Sequence, residues 1–218
     1  MTTITSIDML LSLLRWIIGI AFGCSFGLVF AIVGNFKPTK KILKILNDFF
    51  RAIPILGLVP VIQMKFGINE YAKIGLIAWA VMFPVWISVR NSLLSKHTNV
   101  ELVLKATNIS PNNYFKFYIF PKLLSGFLKG VEIAIGIGWL AVVAAEWIGT
   151  YTQGFWAGGL GYKLVTGYEL NSWKTVYTAI IVFGILGIVS AYLWRLCMKF
   201  IFQNNSTFNP LINETSTS

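Results

Sequence analysis

Reactive side chains are scarce in this chain. It has one histidine, two cysteines and eight acidic residues among 218. His97 has no second His or Cys at metal-ligand spacing, so no zinc-type site is expected. No serine or cysteine stands in a nucleophile elbow. No glycine-rich loop ends in Lys-Ser or Lys-Thr, so the chain is not expected to hydrolyse ATP itself. Cys24 and Cys197 lie in apolar segments at opposite ends and are expected to be buried free thiols. An enzyme is therefore not expected, nor a cofactor or metal. The N-terminal stretch also lacks the basic region and small-residue cleavage site of a signal peptide, which makes the first apolar block a retained helix.

What remains is apolar. Hydrophobic residues make up 56% of the chain and charged ones 12%, outside the range of ordinary soluble domains. The apolar residues form blocks long enough to cross a bilayer as helices, which takes about 20 residues each. Five spans are expected: roughly 9–33, 49–66, 74–94, 123–148 and 176–202. The fold class is thus an all-α membrane protein, with residues 1–202 as the transmembrane domain and 203–218 as a polar tail expected to be disordered. The net charge of +10 does not point to nucleic acid, because the basic residues flank the spans. Thirteen of the 18 lysines and arginines fall on one side: those from Lys37 to Arg51, those from Arg90 to Lys129, and Arg195 with Lys199. Five fall on the other: Arg15, Lys65, Lys73, Lys163 and Lys174. The richer side is expected to be cytoplasmic, together with the C-terminus.

Several patterns have a physical reading. Gly19, Gly23 and Gly27 recur at every fourth position, as do Gly126, Gly130, Ala134 and Gly138; each set lets another helix backbone come close. Pro54 and Pro60 interrupt the second span, so that helix is expected to face the protein interior. Glu132, Trp139 and Glu146 are seven residues apart and share one face of the fourth span. They either line a substrate path or, at the two ends, reach the membrane interface. Gly158 to Tyr162 reads as a turn or re-entrant element. Between the third and fourth spans lies Val100–Leu123, polar, basic and interleaved with Phe and Tyr. Two short surface helices are expected there, one ending before Pro111 and one before Pro121.

Taken in order, Ser12-Leu13-Leu14-Arg15, Arg51-Ala52-Ile53-Pro54, Phe66-Gly67, Phe83-Pro84, Gly130-Val131-Glu132-Ile133-Ala134, Ala145-Glu146 and Gly159-Leu160-Gly161 resemble an integral-membrane permease of bacterial ABC importers. The similar branch handles nitrate, sulfonates such as taurine, bicarbonate and thiamine-related pyrimidines. That family carries a cytoplasmic loop starting Glu-Ala-Ala, with a Gly six residues after the Glu and a Pro thirteen after the Gly. Aligned on Pro121, the Gly position holds Asn108 and the Glu position Leu102. Lys105, Ala106, Phe115 and Phe120 complete the loop. The resemblance implies that this loop docks on a separate ATP-binding subunit, and that an extracytoplasmic solute-binding protein delivers the solute. It also implies two copies of the chain in the inner membrane. Asn can adopt the backbone of the missing Gly, whereas Leu102 removes a charge. Glu132 departs too, since relatives often have a basic residue there. The eroded motif leaves a second reading, a non-transporting membrane scaffold or a permease relic uncoupled from ATP.

Overall fold

The computed structural model describes residues 3–36, 38–67, 69–95, 110–147 and 158–202. The described residues are helical, without a strand: α1 (Ser6–Val33), α2 (Lys40–Arg51), α3 (Ile55–Phe66), α4 (Glu70–Leu94), α5 (Pro111–Trp147), α6 (Leu160–Glu169) and α7 (Trp173–Phe202). Four of them, α1, α4, α5 and α7, are long and apolar enough to cross a membrane, and α2 with α3 forms a fifth span bent by 93°. Residues 203–218 lie outside the described residues.

Local chemistry sets the boundaries. Thr5 and Asp8 form a reciprocal capping box at the start of α1, which satisfies otherwise orphaned N–H groups. The Asn69 side chain accepts from the Ala72 N–H at 2.8 Å and opens α4. The break between α2 and α3 falls at Pro54, whose extended backbone (ψ 130°) starts a new helix.

Pro111 occupies the first turn of α5, where its missing N–H costs nothing. The expected helix end before Pro121 is not there: α5 continues through that proline for 37 residues. The reason is a π turn, Phe115–Ile119, closed by the Phe120 N–H on the Phe115 carbonyl. A proline ring crowds the carbonyl four residues back, and the wider turn just before Pro121 opens that spacing.

The two small-residue stripes decide the packing. A Cβ on Gly23 would stand 2.7 Å from the Ala78 carbonyl, and one on Gly130 would stand 2.7 Å from the Val85 Cα. Gly23 thus faces α4 from α1, and Gly130 faces it from α5. α4 lies between them as the most buried span, while α7 is the least buried. Cys24 is buried as expected. Cys197 is exposed, because it sits on the outer face of α7, where apolar residues such as Ile181, Ile188 and Phe200 suit contact with lipid.

Candidate functional site

One end of the bundle carries a knot of charged groups. The Arg15 guanidinium grips Glu70 with two nearly parallel bonds, Nε to Oε2 at 2.7 Å and Nη2 to Oε1 at 2.8 Å. Its Nη1 donates to Glu146 Oε1 at 2.8 Å and to the Gly158 carbonyl at 2.6 Å. Lys73 donates to Glu70 at 2.9 Å, and Ser12 donates to Glu146 at 2.8 Å. Arg15, Lys73 and Glu146 are all fully buried. A planar fork suits this role, because guanidinium meets carboxylate in a bidentate geometry.

The knot also seats the start of α6. The N–H groups of Gly159, Leu160 and Gly161 donate in turn to Asp8 (3.2 Å), Ser12 (2.8 Å) and Glu146 (2.7 Å). Carboxylates there complement the positive end of the helix dipole. Gly159 has φ +131°, and any side chain on it would run into the Glu146 carboxylate. The Gly-Gly-Leu-Gly run is therefore a close-fitting cradle for Glu146. Below the knot, Trp16 stacks on Trp139 with centroids 4.9 Å apart, and the Trp139 indole donates to Ser190 at 3.0 Å.

A second feature lies at the break between α2 and α3. The bend between α2 and α3 opens a cleft of about 420 Å³. Its walls come from the bend (Arg51, Ile53, Pro54, Ile55), from α4 (Trp79, Ala80, Phe83, Pro84, Ile87) and from α5 (Ile137, Leu140, Ala141). Pro84 supplies no N–H to the Ala80 carbonyl one turn back, and both residues line the cleft, which is where such a freed carbonyl is tolerated.

The residues singled out in the sequence fall into different places. Glu146 is at the centre of the knot. Glu132 is on the same face of α5 but near its other end, paired with Arg195 of α7 at 3.0 Å in an exposed bridge. Trp139 lies between them against α1 and α7. None of the three lines the cleft. Phe115 and Phe120 are exposed at the start of α5, and Pro121 is half-buried. Leu102, Lys105, Ala106 and Asn108 lie outside the described residues.

Sequence reasoning missed Asp8, Ser12, Arg15, Glu70 and Lys73 as one constellation, and missed Lys122. The signal was present in Arg15, a cation inside an apolar run that needs a buried partner. Lys122 is buried at the end opposite the knot, held by the Tyr118 hydroxyl at 2.8 Å and the Ser95 carbonyl at 2.5 Å.

Known proteins are similar to this chain in sequence and in architecture. The chain is 28% identical over 198 residues to SsuC of Bacillus subtilis (strain 168), named for aliphatic sulfonates transport, with 90% of this chain and 70% of that protein covered. It is 29% identical over 176 residues to the taurine transport system permease protein TauC of Escherichia coli (strain K12), with 80% and 62% covered. The chain thus spans less than two thirds of TauC. In fold it is similar to a chain of the inward-facing MetNI methionine ABC transporter, with a TM-score of 0.61 at 19% identity, covering 88% of this chain and 91% of that one. Residues 19–197 match the family described as binding-protein-dependent transport system inner membrane component. This chain belongs to that family, a multi-pass membrane subunit of a transport system and itself no enzyme.

Proposed function

We propose that the chain is the permease subunit of an ATP-driven importer for a small anion such as a sulfonate, nitrate or bicarbonate, or for a thiamine-related pyrimidine. The observation that carries this reading is the family match over residues 19–197. The uncoupled-scaffold reading is not favoured by it. Two copies would face each other across the cleft side of α3, α4 and α5, where Leu56, Ile133 and Leu140 are exposed. The path would then run through the cleft. Glu146 and the knot around it would hold the outer end together instead of lining the path, and Glu132 would stay at the membrane edge.

The segment from Leu102 through Lys105, Ala106 and Asn108 to Phe115, Phe120 and Pro121 would dock on a separate ATP-binding subunit. Exposed Phe115, Phe117 and Phe120 supply an apolar contact beside Lys116, a combination suited to a protein groove. This end would be cytoplasmic, by the excess of basic residues. A solute-binding protein would meet the other end, around residues 158–172. Purification of the tagged chain from its native membranes tests the docking. The ATPase subunit should co-purify with the native chain and be lost from the variant carrying Phe115→Asp and Pro121→Ala. A chain recovered alone, from cells that express the ATPase, would overturn the proposal.

A further inference from the structure

The first arm of the bent span, α2, has a surface that the bundle does not use. α1 and α4 leave the knot side by side in the same direction, with Gly19 against Ile77 and Gly27 against Val85. Gly34 caps α1 at the far end, and a Cβ on it would stand 3.6 Å from the Leu43 Cβ of α2. The first turns of α2 therefore lie at the end opposite the knot. Leu43, Asn47 and Phe50 are buried or half-buried, and every other residue of α2 is exposed. These three share one stripe of the helix, and Phe50 meets Trp79 of α4 edge-on at 5.4 Å. Beside that stripe runs a second one, Ile42, Ile45, Leu46 and Phe49, exposed by 61, 59, 38 and 62%. Lys40, Lys41 and Lys44 occupy the remaining side.

An exposed apolar stripe next to lysines suits the boundary between acyl chains and headgroups, where a lysine stem stays apolar and its ammonium reaches out. Among the described residues none of the three lysines pairs with a carboxylate, and Asp48, the one acid on α2, is 4.0 Å from Arg51. Lys40 and Lys41 also stand in the first turn with no acid beside them, where the helix dipole disfavours cations. Anions from outside the chain offset both deficits. We propose that α2 binds anionic phospholipid, with Lys40, Lys41 and Lys44 on the headgroups and Ile42, Ile45, Leu46 and Phe49 among the acyl chains. Charge complementarity selects this occupant over a second copy, whose own α2 would set one lysine row against another. A zwitterionic lipid would cover the apolar stripe and leave the lysines without a net counter-charge.

The test offers the full chain, in mild detergent, equal amounts of phosphatidylglycerol and phosphatidylcholine, and counts the retained lipids by native mass spectrometry. At low salt the native chain should retain phosphatidylglycerol about tenfold over phosphatidylcholine, and about 0.5 M salt should weaken the preference. Lys40→Gln, Lys41→Gln and Lys44→Gln together should bring it down to about twofold, while arginine at the same three positions should keep it. Glutamine at Lys129, Lys174 and Lys199, exposed lysines of α5 and α7, removes as much charge and should leave the preference near its native value. Ile45→Ser with Phe49→Ser should lower phosphatidylglycerol retention with every lysine in place. A native chain without a preference would overturn the inference. So would a preference that survives the three α2 glutamines, or one that the α5 and α7 changes abolish equally. A second copy on this face would also overturn it, seen as a dimer that the α2 glutamines strengthen and no lipid preference. If the α2 glutamine variant does not fold, the salt response of the native chain and the arginine variant decide. The ATPase takes no part in this assay, so its failure leaves the importer reading standing.

Discussion

The two ends of the bundle are held by different forces. At one end Arg15, Glu70, Lys73 and Glu146 form a continuous set of ion pairs and Lys163 pairs with Asp8 beside it, three acids against three bases, drawn from α1, α4, α5 and α6. At the other end one buried cation, Lys122, is held by a hydroxyl and a carbonyl, with its ammonium 4.1 Å from the Tyr118 ring centre. The only carboxylate pair there among the described long spans is the exposed Glu132–Arg195 bridge. Charge balance cross-links four helices at the first end. The second end rests on neutral partners.

Breaking the knot should have the largest effect. Glu146→Gln keeps the shape but leaves Arg15 short of a buried counter-charge, which costs about 3–5 kcal/mol. Thermal unfolding in nanodiscs should show a correspondingly large drop, and Arg15→Met combined with Glu146→Gln should cost less than the two single changes added together. A small or additive loss would mean that the knot is not acting as a unit.

Next in size is Gly130→Leu on the packing face between the ends. Its Cβ would stand 2.7 Å from the Val85 Cα, so α5 must move away from α4, at a cost of about 1–3 kcal/mol or more. Gly136 meets nothing within 4 Å, so Gly136→Ala should be tolerated in the same assay.

Lys122→Met removes the two hydrogen bonds that tie Ser95 and Tyr118 together, worth about 1–3 kcal/mol. This should be well below the effect of Glu146→Gln. An equal loss would erase the difference between the ends. The smallest effect is expected for Glu132→Gln. That bridge is exposed on both partners, and such pairs contribute about 0–1 kcal/mol. A large loss of stability in this variant would show that its face of α7 is covered by something other than lipid.

Local and periodic features were legible in advance. The five apolar blocks and the face made by Gly19, Gly23 and Gly27 depend on neighbours within one or two helical turns, while the short helix expected to end before Pro111 lies outside the described residues. Pro121 was misread for the same reason: its rule is local and correct, but the π turn that accommodates it is a property of the turn before. Glu132, Trp139 and Glu146 do share a face of α5. What that face meets depends on α1, α6 and α7, and the seven-residue spacing carries no information about them.

The sequence by itself determined the solvent and the helices. Apolar length demands a bilayer, and small residues at four-residue steps demand close helix contacts. Tertiary structure alone decided which charges meet. Arg15 and Glu146 are 131 residues apart, and a buried charge takes whichever partner the packing brings within about 3 Å. The cleft is also a tertiary result, since Arg51, Phe83 and Leu140 share a wall only after the chain bends by 93° between α2 and α3. Short-range patterns fix elements because their energies are local. Sites join residues that are far apart in the chain, so the fold has to place them.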